Sequence, residues 1–217
     1  MKTDSIIIVG AGGFGRETID VLKALHKAEP GLHPQLLGVV DDSPSEINLT
    51  RLKDLGVNYL GTISQSLDLA TIDTLFSVAV GSPSTRAKIA NTIKAAGFGF
   101  ATLIHPTAVI GSAFESGEGI TICGGVQIST NVYLGSQVHI NPNATIGHDA
   151  QLSDFVSINP GAIISGEVTI HRETLIGAGA VVLQGLSIAE QCIIGAAACV
   201  VRDVTSAGRI LKGIPAK

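Results

Sequence analysis

Residues 139–166 read "HINPNATIGHDAQLSDFVSINPGAIISG", with an aliphatic residue at every sixth position: Ile140, Ile146, Leu152, Ile158 and Ile164. An α-helix repeats every ~3.6 residues and a half-buried strand every ~2, so neither explains this spacing. Followed outward from Ile104 to Val200, the same step visits 17 positions, of which 16 are Ile, Leu or Val and only Ser116 is not. Two residues before each stand mostly Ala, Val, Thr or Cys, and immediately after come Gly, Ser and Asn, which tolerate tight turns. A parallel β-coil with three flat sides, one hexad to a side, satisfies this pattern. The chain returns above itself every 18 residues, one strand spacing of about 4.8 Å higher, and the aliphatic residues stack in a triangular interior.

Over about residues 101–203 this hexapeptide repeat is identified as a left-handed parallel β-helix. Its three exposed sheet faces lead us to expect side-by-side packing of copies. The composition suits such a coil: 26 glycines, no Trp and 4% aromatic residues leave small side chains to stack. A net charge of -4 without Lys/Arg clusters argues against nucleic acid as a partner. The longest apolar run near the start, "IIIV", is too short for a signal peptide or a membrane span. Cys123, Cys192 and Cys199 lack C-x-x-C spacing and are expected as buried thiols in a reducing cytoplasm.

Residues 1–100 have another character. "IIIVGAGGFGRE", residues 6–17, places a strand (Ser5–Val9) before a G-x-G-x-x-G loop of Gly10, Gly12 and Gly15, with a helix from about Arg16 to Lys27. "LLGVVDD" predicts a second strand ending in Asp41 and Asp42, "TLFSVAVGS" a third, and Ser84–Ala96 a helix stopped by Gly97. Strands alternating with helices imply a small Rossmann-like parallel sheet. An acidic residue after the second strand is where such folds hold a ribose hydroxyl. There is space for one nucleotide-binding half only, so a nucleotide diphosphate is expected and NAD is not. Alternatively, the glycines only permit close strand–helix packing. The expected organisation is residues 1–100, 101–203 and a tail, 204–217.

With those stretches in view, the chain resembles the bacterial sugar acyltransferases grouped with sialic-acid O-acetyltransferase and the N-acetyltransferases of nucleotide-linked 4-amino sugars. The resemblance runs through "VGAGGFGRE", "GVVDD", "AVGSPSTRAKI", "LIHPTAVIG", the stretch at 139–166 and the closing "GIPAK". It implies acetyl transfer from acetyl-CoA, a His followed by an acidic residue at the centre, and a homotrimer. Here the pair is His148–Asp149. Many relatives carry a His after the paired glycines, where this chain has Phe14.

The residues support these roles on their own terms. Acyl transfer needs a base for the acceptor's proton and a donor for the oxyanion. His148, two residues past the inward Ile146, is expected to point outward at a coil corner, with Asp149 holding its second ring nitrogen. Eighteen residues on, the Gly166 backbone falls one coil above, where it becomes the oxyanion candidate; Asn131 and Glu167 fall below and above Asp149. Gly10, Gly12, Gly13, Phe14, Asp41, Asp42 and Asn141 are the candidate acceptor contacts, although Asn141 and Asn159 could instead form a structural ladder. Gly166, Ala178, Ala196, Lys212 and Lys217 are the candidate acetyl-CoA contacts. Arg202, Arg209 and the tail lysines could meet its phosphates or simply be solvated. Among the other histidines, His105 is expected at the domain join, His139 and His171 at surface or coil corners, and His26 and His33 in solvent. A zinc hydratase on this fold needs three converging histidines, and the spacings of His139, His148 and His171 do not repeat in 18, so no metal is expected. A nucleotide-binding scaffold without activity is the non-enzymatic alternative.

Overall fold

The computed structural model describes residues 5–217. The first part is a four-stranded parallel sheet in the order β2-β1-β3-β4, formed by β1 (Ser5–Val9), β2 (Gln35–Val40), β3 (Thr74–Val78) and β4 (Gly99–Phe100). Residues of β1 alternate between two helical layers. Ile7 and Val9 pack with Ala87, Ala90 and Ile93 of α4 (Pro83–Ala95), while Ile6 and Ile8 face α1 (Gly13–Ala28) through Leu22 and Ile19. This two-sided burial explains why the run "IIIV" has no polar alternation. Helix α1 starts three residues earlier than expected, with Gly12 as N-cap and no side-chain cap. Two short helices had no clear sequence period: α2 (Glu46–Asp54), capped by Ser45, and α3 (Ile63–Leu69), opened by a Thr62–Gln65 capping box.

From Leu103 the chain winds into a three-faced parallel β-helix. Face I holds seven strands from Leu103–Ile104 to Ile210–Leu211, face II six from Val109–Ile110 to Cys199–Val200, and face III five from Glu115–Ser116 to Ser187–Ile188. Registers advance by 18, as in Ile146 beside Ile164 and Ile140 beside Ile158. The inward residues form one continuous core, in which Ile140, Ile146, Leu152, Ile158 and Ile164 are wholly buried. Ser116 lies on the edge strand of face III and is exposed, so the exception to the hexad rule sits where the stack begins. Each corner turns through a left-handed residue. Every sixth position from Ala113 to Ala197 has φ between +55° and +72°, and ten of these carry side chains rather than being glycine.

Residues 204–217, expected as a tail, continue the prism: Val204 bridges to Ile188 and Ile210–Leu211 pairs with Ile193–Ile194. The α/β part docks on the lower half of face I, burying the outward residues Thr121, His139 and Ser157. Arg86 of α4 welds the join. Its wholly buried guanidinium donates to the carbonyl oxygens of Val80 (2.7 Å), Gln137 (2.9 Å) and Phe155 (2.7 Å) and to Ser157 Oγ (2.9 Å). Burial draws its pKa down to about 9, so it remains charged at neutral pH, helped by Glu173. His139 corrects an expectation: it is buried under Phe14, ring centroids 4.4 Å apart, and not at the surface. Burial, then the Arg86 charge, holds its imidazole neutral, well below the usual range.

Candidate active site

The glycine loop lies at the carboxyl ends of β1, β2 and β3, where parallel sheets take ligands. Its glycines divide in two. Gly10 has φ +116° and a side chain there would meet the Ala79 carbonyl oxygen at 2.7 Å, while one on Gly15 would run into the Gly10 carbonyl. These two are demanded by strand–helix packing. Gly12 and Gly13 face open space, so nothing inside the chain requires them to be glycine. Asp41 and Asp42 are engaged by backbone: Asp41 accepts from the Ala11 N–H (2.8 Å) and Ser43 N–H (2.9 Å), and Asp42 from the Ile63 N–H (2.8 Å). Asp41 thereby locks the loop to the second strand's end. Phe14, on the helix's first turn, packs on His139 and ties that turn to the prism.

On the edge between faces II and III, His148 projects outward after the strand Thr145–Ile146, its side chain about half exposed. Its Nδ1 lies 2.7 Å from Asp149 Oδ2. An ionised carboxylate only accepts, so Nδ1 carries the proton and Nε2 presents a lone pair outward. Asp149 sits in the left-handed corner, φ +61°, and its other oxygen accepts from Asn131 Nδ2 at 2.6 Å. The Asn131 amide, then the His148 hydrogen bond, hold the Asp149 carboxyl below its ordinary range. One coil above, Gly166 lies against the imidazole: a side chain there would stand 2.5 Å from both Nε2 and Cε1. Among the described residues its N–H finds no acceptor. Glu167 follows, and donor atoms of His148, Asp149 and Glu167 all lie within 4.8 Å of one another.

The remaining candidates lie on another edge, between faces I and II. There Asn141 Nδ2 donates to Asn159 Oδ1 (3.1 Å), forming the ladder, while Asn141 Oδ1 is buried without a partner. Ala178 and Ala196 are exposed on the same edge, and Lys212 packs beside Gly195 there. Within one chain, therefore, Asn141, Ala178, Ala196 and Lys212 are separated from His148 and Gly166 by the width of face II. Lys217, Arg202 and Arg209 line a cleft of about 230 Å³ at the far end of the prism. His105 follows the strand Leu103–Ile104, its Nδ1 2.9 Å from the Thr107 hydroxyl. Sequence reasoning missed Arg86 and Phe155, whose roles arise only when the two parts dock.

An outward His–carboxylate pair on a hexapeptide prism, joined to a small α/β domain with a glycine loop, is the arrangement to set beside known proteins. Residues 5–93 match the PglD N-terminal domain. A GDP-perosamine N-acetyltransferase of Escherichia coli O157:H7 is 34% identical over 148 residues, 68% of this chain; the chain covers 64% of that relative's length. PerB from Caulobacter crescentus, solved with CoA and GDP-perosamine, superposes with a TM-score of 0.85 at 28% identity, covering 98% of this chain and 96% of that one. The acetyltransferase domain of PglB from Neisseria gonorrhoeae FA1090, solved with acetyl coenzyme A, gives 0.84 at 28% identity over 99% and 98%. The chain is thus similar, over its α/β part in sequence and over nearly its whole length in fold, to sugar N-acetyltransferases that join a PglD N-terminal domain to a β-helix.

Proposed function

We propose that the protein is an acetyl-CoA-dependent N-acetyltransferase acting on a nucleotide-linked 4-amino-4,6-dideoxy sugar. The observation that carries this reading is the Nδ1–Asp149 contact of His148 at 2.7 Å, which leaves Nε2 with a lone pair to act as a base beside the Gly166 amide, unpaired among the described residues. The acceptor nitrogen attacks the thioester carbonyl carbon; its proton passes to Nε2. As the C–S bond breaks, the imidazolium returns that proton to the sulfur, leaving an amide and free thiol. The Gly166 N–H is our donor to the oxyanion, and Asp149 holds the ring and stabilises its charged form.

The α/β domain receives the nucleotide. Gly12 and Gly13, free of packing demands, let the diphosphate approach the first amides of α1, with Asp41 and Asp42 at the sugar-phosphate end. Because the glycine loop and Asn141 border face I while His148 lies across face II, we infer that sites are completed between copies, in a homotrimer. Exposed Val109 and Ile163 on face II, and Ile193 and Ile210 on the free half of face I, offer apolar surface for it. Ala178, Ala196, Lys212 and Lys217 would then contact acetyl-CoA bound beside a neighbour's His148. Among the described residues no helix is long and apolar enough to cross a membrane; the free thiols and the co-substrate fit the cytoplasm.

Thiol release from acetyl-CoA with GDP-perosamine and with UDP-linked 4-amino-6-deoxy sugars tests the reading. His148→Ala should lower kcat by roughly 100-fold or more with acetyl-CoA binding retained. Near wild-type turnover removes His148 from the mechanism, and a fully active monomer by light scattering removes the trimer.

A further inference from the structure

At the left-handed corner beside His148 the column runs Ala113, Asn131, Asp149, Glu167 and Gly185, so it is acidic only at the level of the imidazole and one coil above. Both Asp149 oxygens are used, one by Asn131 and one by His148. Glu167 is different. Its backbone N–H donates to the His148 carbonyl (2.8 Å), yet among the described residues its carboxylate has no hydrogen-bond or ion-pair partner. The comparison with Glu173, another left-handed corner residue, is direct: that carboxylate is held by Arg172 (3.0 Å) and Gln191 (3.3 Å). Stacking a second carboxylate over Asp149 is electrostatically unfavourable, and fold stability does not explain it. With His148 neutral, the site carries two negative charges within 4.8 Å, one of them uncompensated.

We propose that Glu167 is the acceptor-selecting residue of this site, binding the sugar's amino group in its ammonium form and so favouring an amine over a hydroxyl. This rests on the N-acetyltransferase reading above. An alkylamine is mostly protonated at neutral pH, so the ligand that arrives supplies the missing positive charge; a hydroxyl supplies none. The ammonium then releases one proton to solvent before attack, and the second N–H proton follows the route through Nε2. The imidazolium so formed keeps a cation beside Glu167, so the carboxylate is compensated before and during transfer.

The test compares wild type with Glu167→Gln, a change of charge at nearly constant shape, on the amino-sugar nucleotide that the wild type turns over and on its 4-hydroxyl counterpart (GDP-rhamnose for GDP-perosamine). The KM for the amino sugar should rise roughly tenfold or more, the scale of one charge-assisted hydrogen bond. The KM for acetyl-CoA and the calorimetric affinity for the hydroxyl counterpart should stay within about twofold of wild type, a change that a merely structural role could not confine to the amine. Equal weakening of both sugars, or no change for either, overturns the proposal while leaving the enzyme reading intact. A wild type that acetylates no amino sugar sinks both.

Discussion

The imidazole of His148 is held on two sides, by the Asp149 carboxylate at Nδ1 and by the bare Cα of Gly166 against its Nε2 edge. A methyl group at position 166 must displace the ring. Gly166→Ala should therefore cost roughly 100-fold in kcat, the scale of a misplacement near 1 Å, while the variant melts close to wild type; an unimpaired variant would show that the ring has other room. Asp149 offers a second measurement. Its folded pKa is depressed, with Asn131 as the larger cause, so the stabilisation it brings is complete at neutral pH and is lost as pH falls through the lowered value. Asn131→Ala should move the Asp149 carboxyl titration upward, toward the ordinary range, in a 13C NMR titration. No movement would mean that the His148 bond alone sets it.

Among the elements, the glycine loop divides into positions of structural and of open character. Gly15→Ala drives a methyl into the Gly10 carbonyl and should abolish soluble, folded protein, whereas Gly12→Ala meets nothing and should leave the melting temperature unchanged while raising the KM for the sugar nucleotide only. A Gly12 variant impaired only toward acetyl-CoA would overturn the nucleotide assignment. In the prism, Ile158 is wholly buried between Ile140 and Ile176, and Ile158→Ala should lower the unfolding free energy by about 2–5 kcal/mol in urea titration. The hexads were legible because an inward position in a coil admits only aliphatic side chains, and that constraint recurs every turn. The capped helices α2 and α3 were not, being too short for an apolar stripe to register. His148 and Asp149 could be placed because the repeat settles which residues face outward. His139 could not: it also faces outward from its coil, and only docking of the α/β part buries it.

For the molecule as a whole, a buried cation holds the join, with the exposed Lys94–Glu118 pair (2.8 Å) beside it. Arg86 gathers carbonyl oxygens from the third strand's end and from two coils, and among the described residues no carboxylate is one of its hydrogen-bond partners. Arg86→Met should orphan those carbonyls, at about 1–3 kcal/mol for each buried group left unpaired, seen in calorimetry as an earlier transition in which the two parts melt separately; unchanged, single-step melting would show that apolar packing suffices. Nothing local marked this arginine, which stands in a helix "PSTRAKIANTIKA" among other polar residues. The coil geometry sets a different kind of limit. Because each 18-residue turn adds one strand spacing of about 4.8 Å, the separation between His148 and the basic cleft near Arg209 can change only in whole steps. The prism is thus a ruler with fixed graduations. Repeating residues 175–192 once after Cys192 should leave the acceptor end untouched and carry the cationic cleft one graduation farther away. A co-substrate of unaltered length would then reach the thioester position or the cleft, but no longer both.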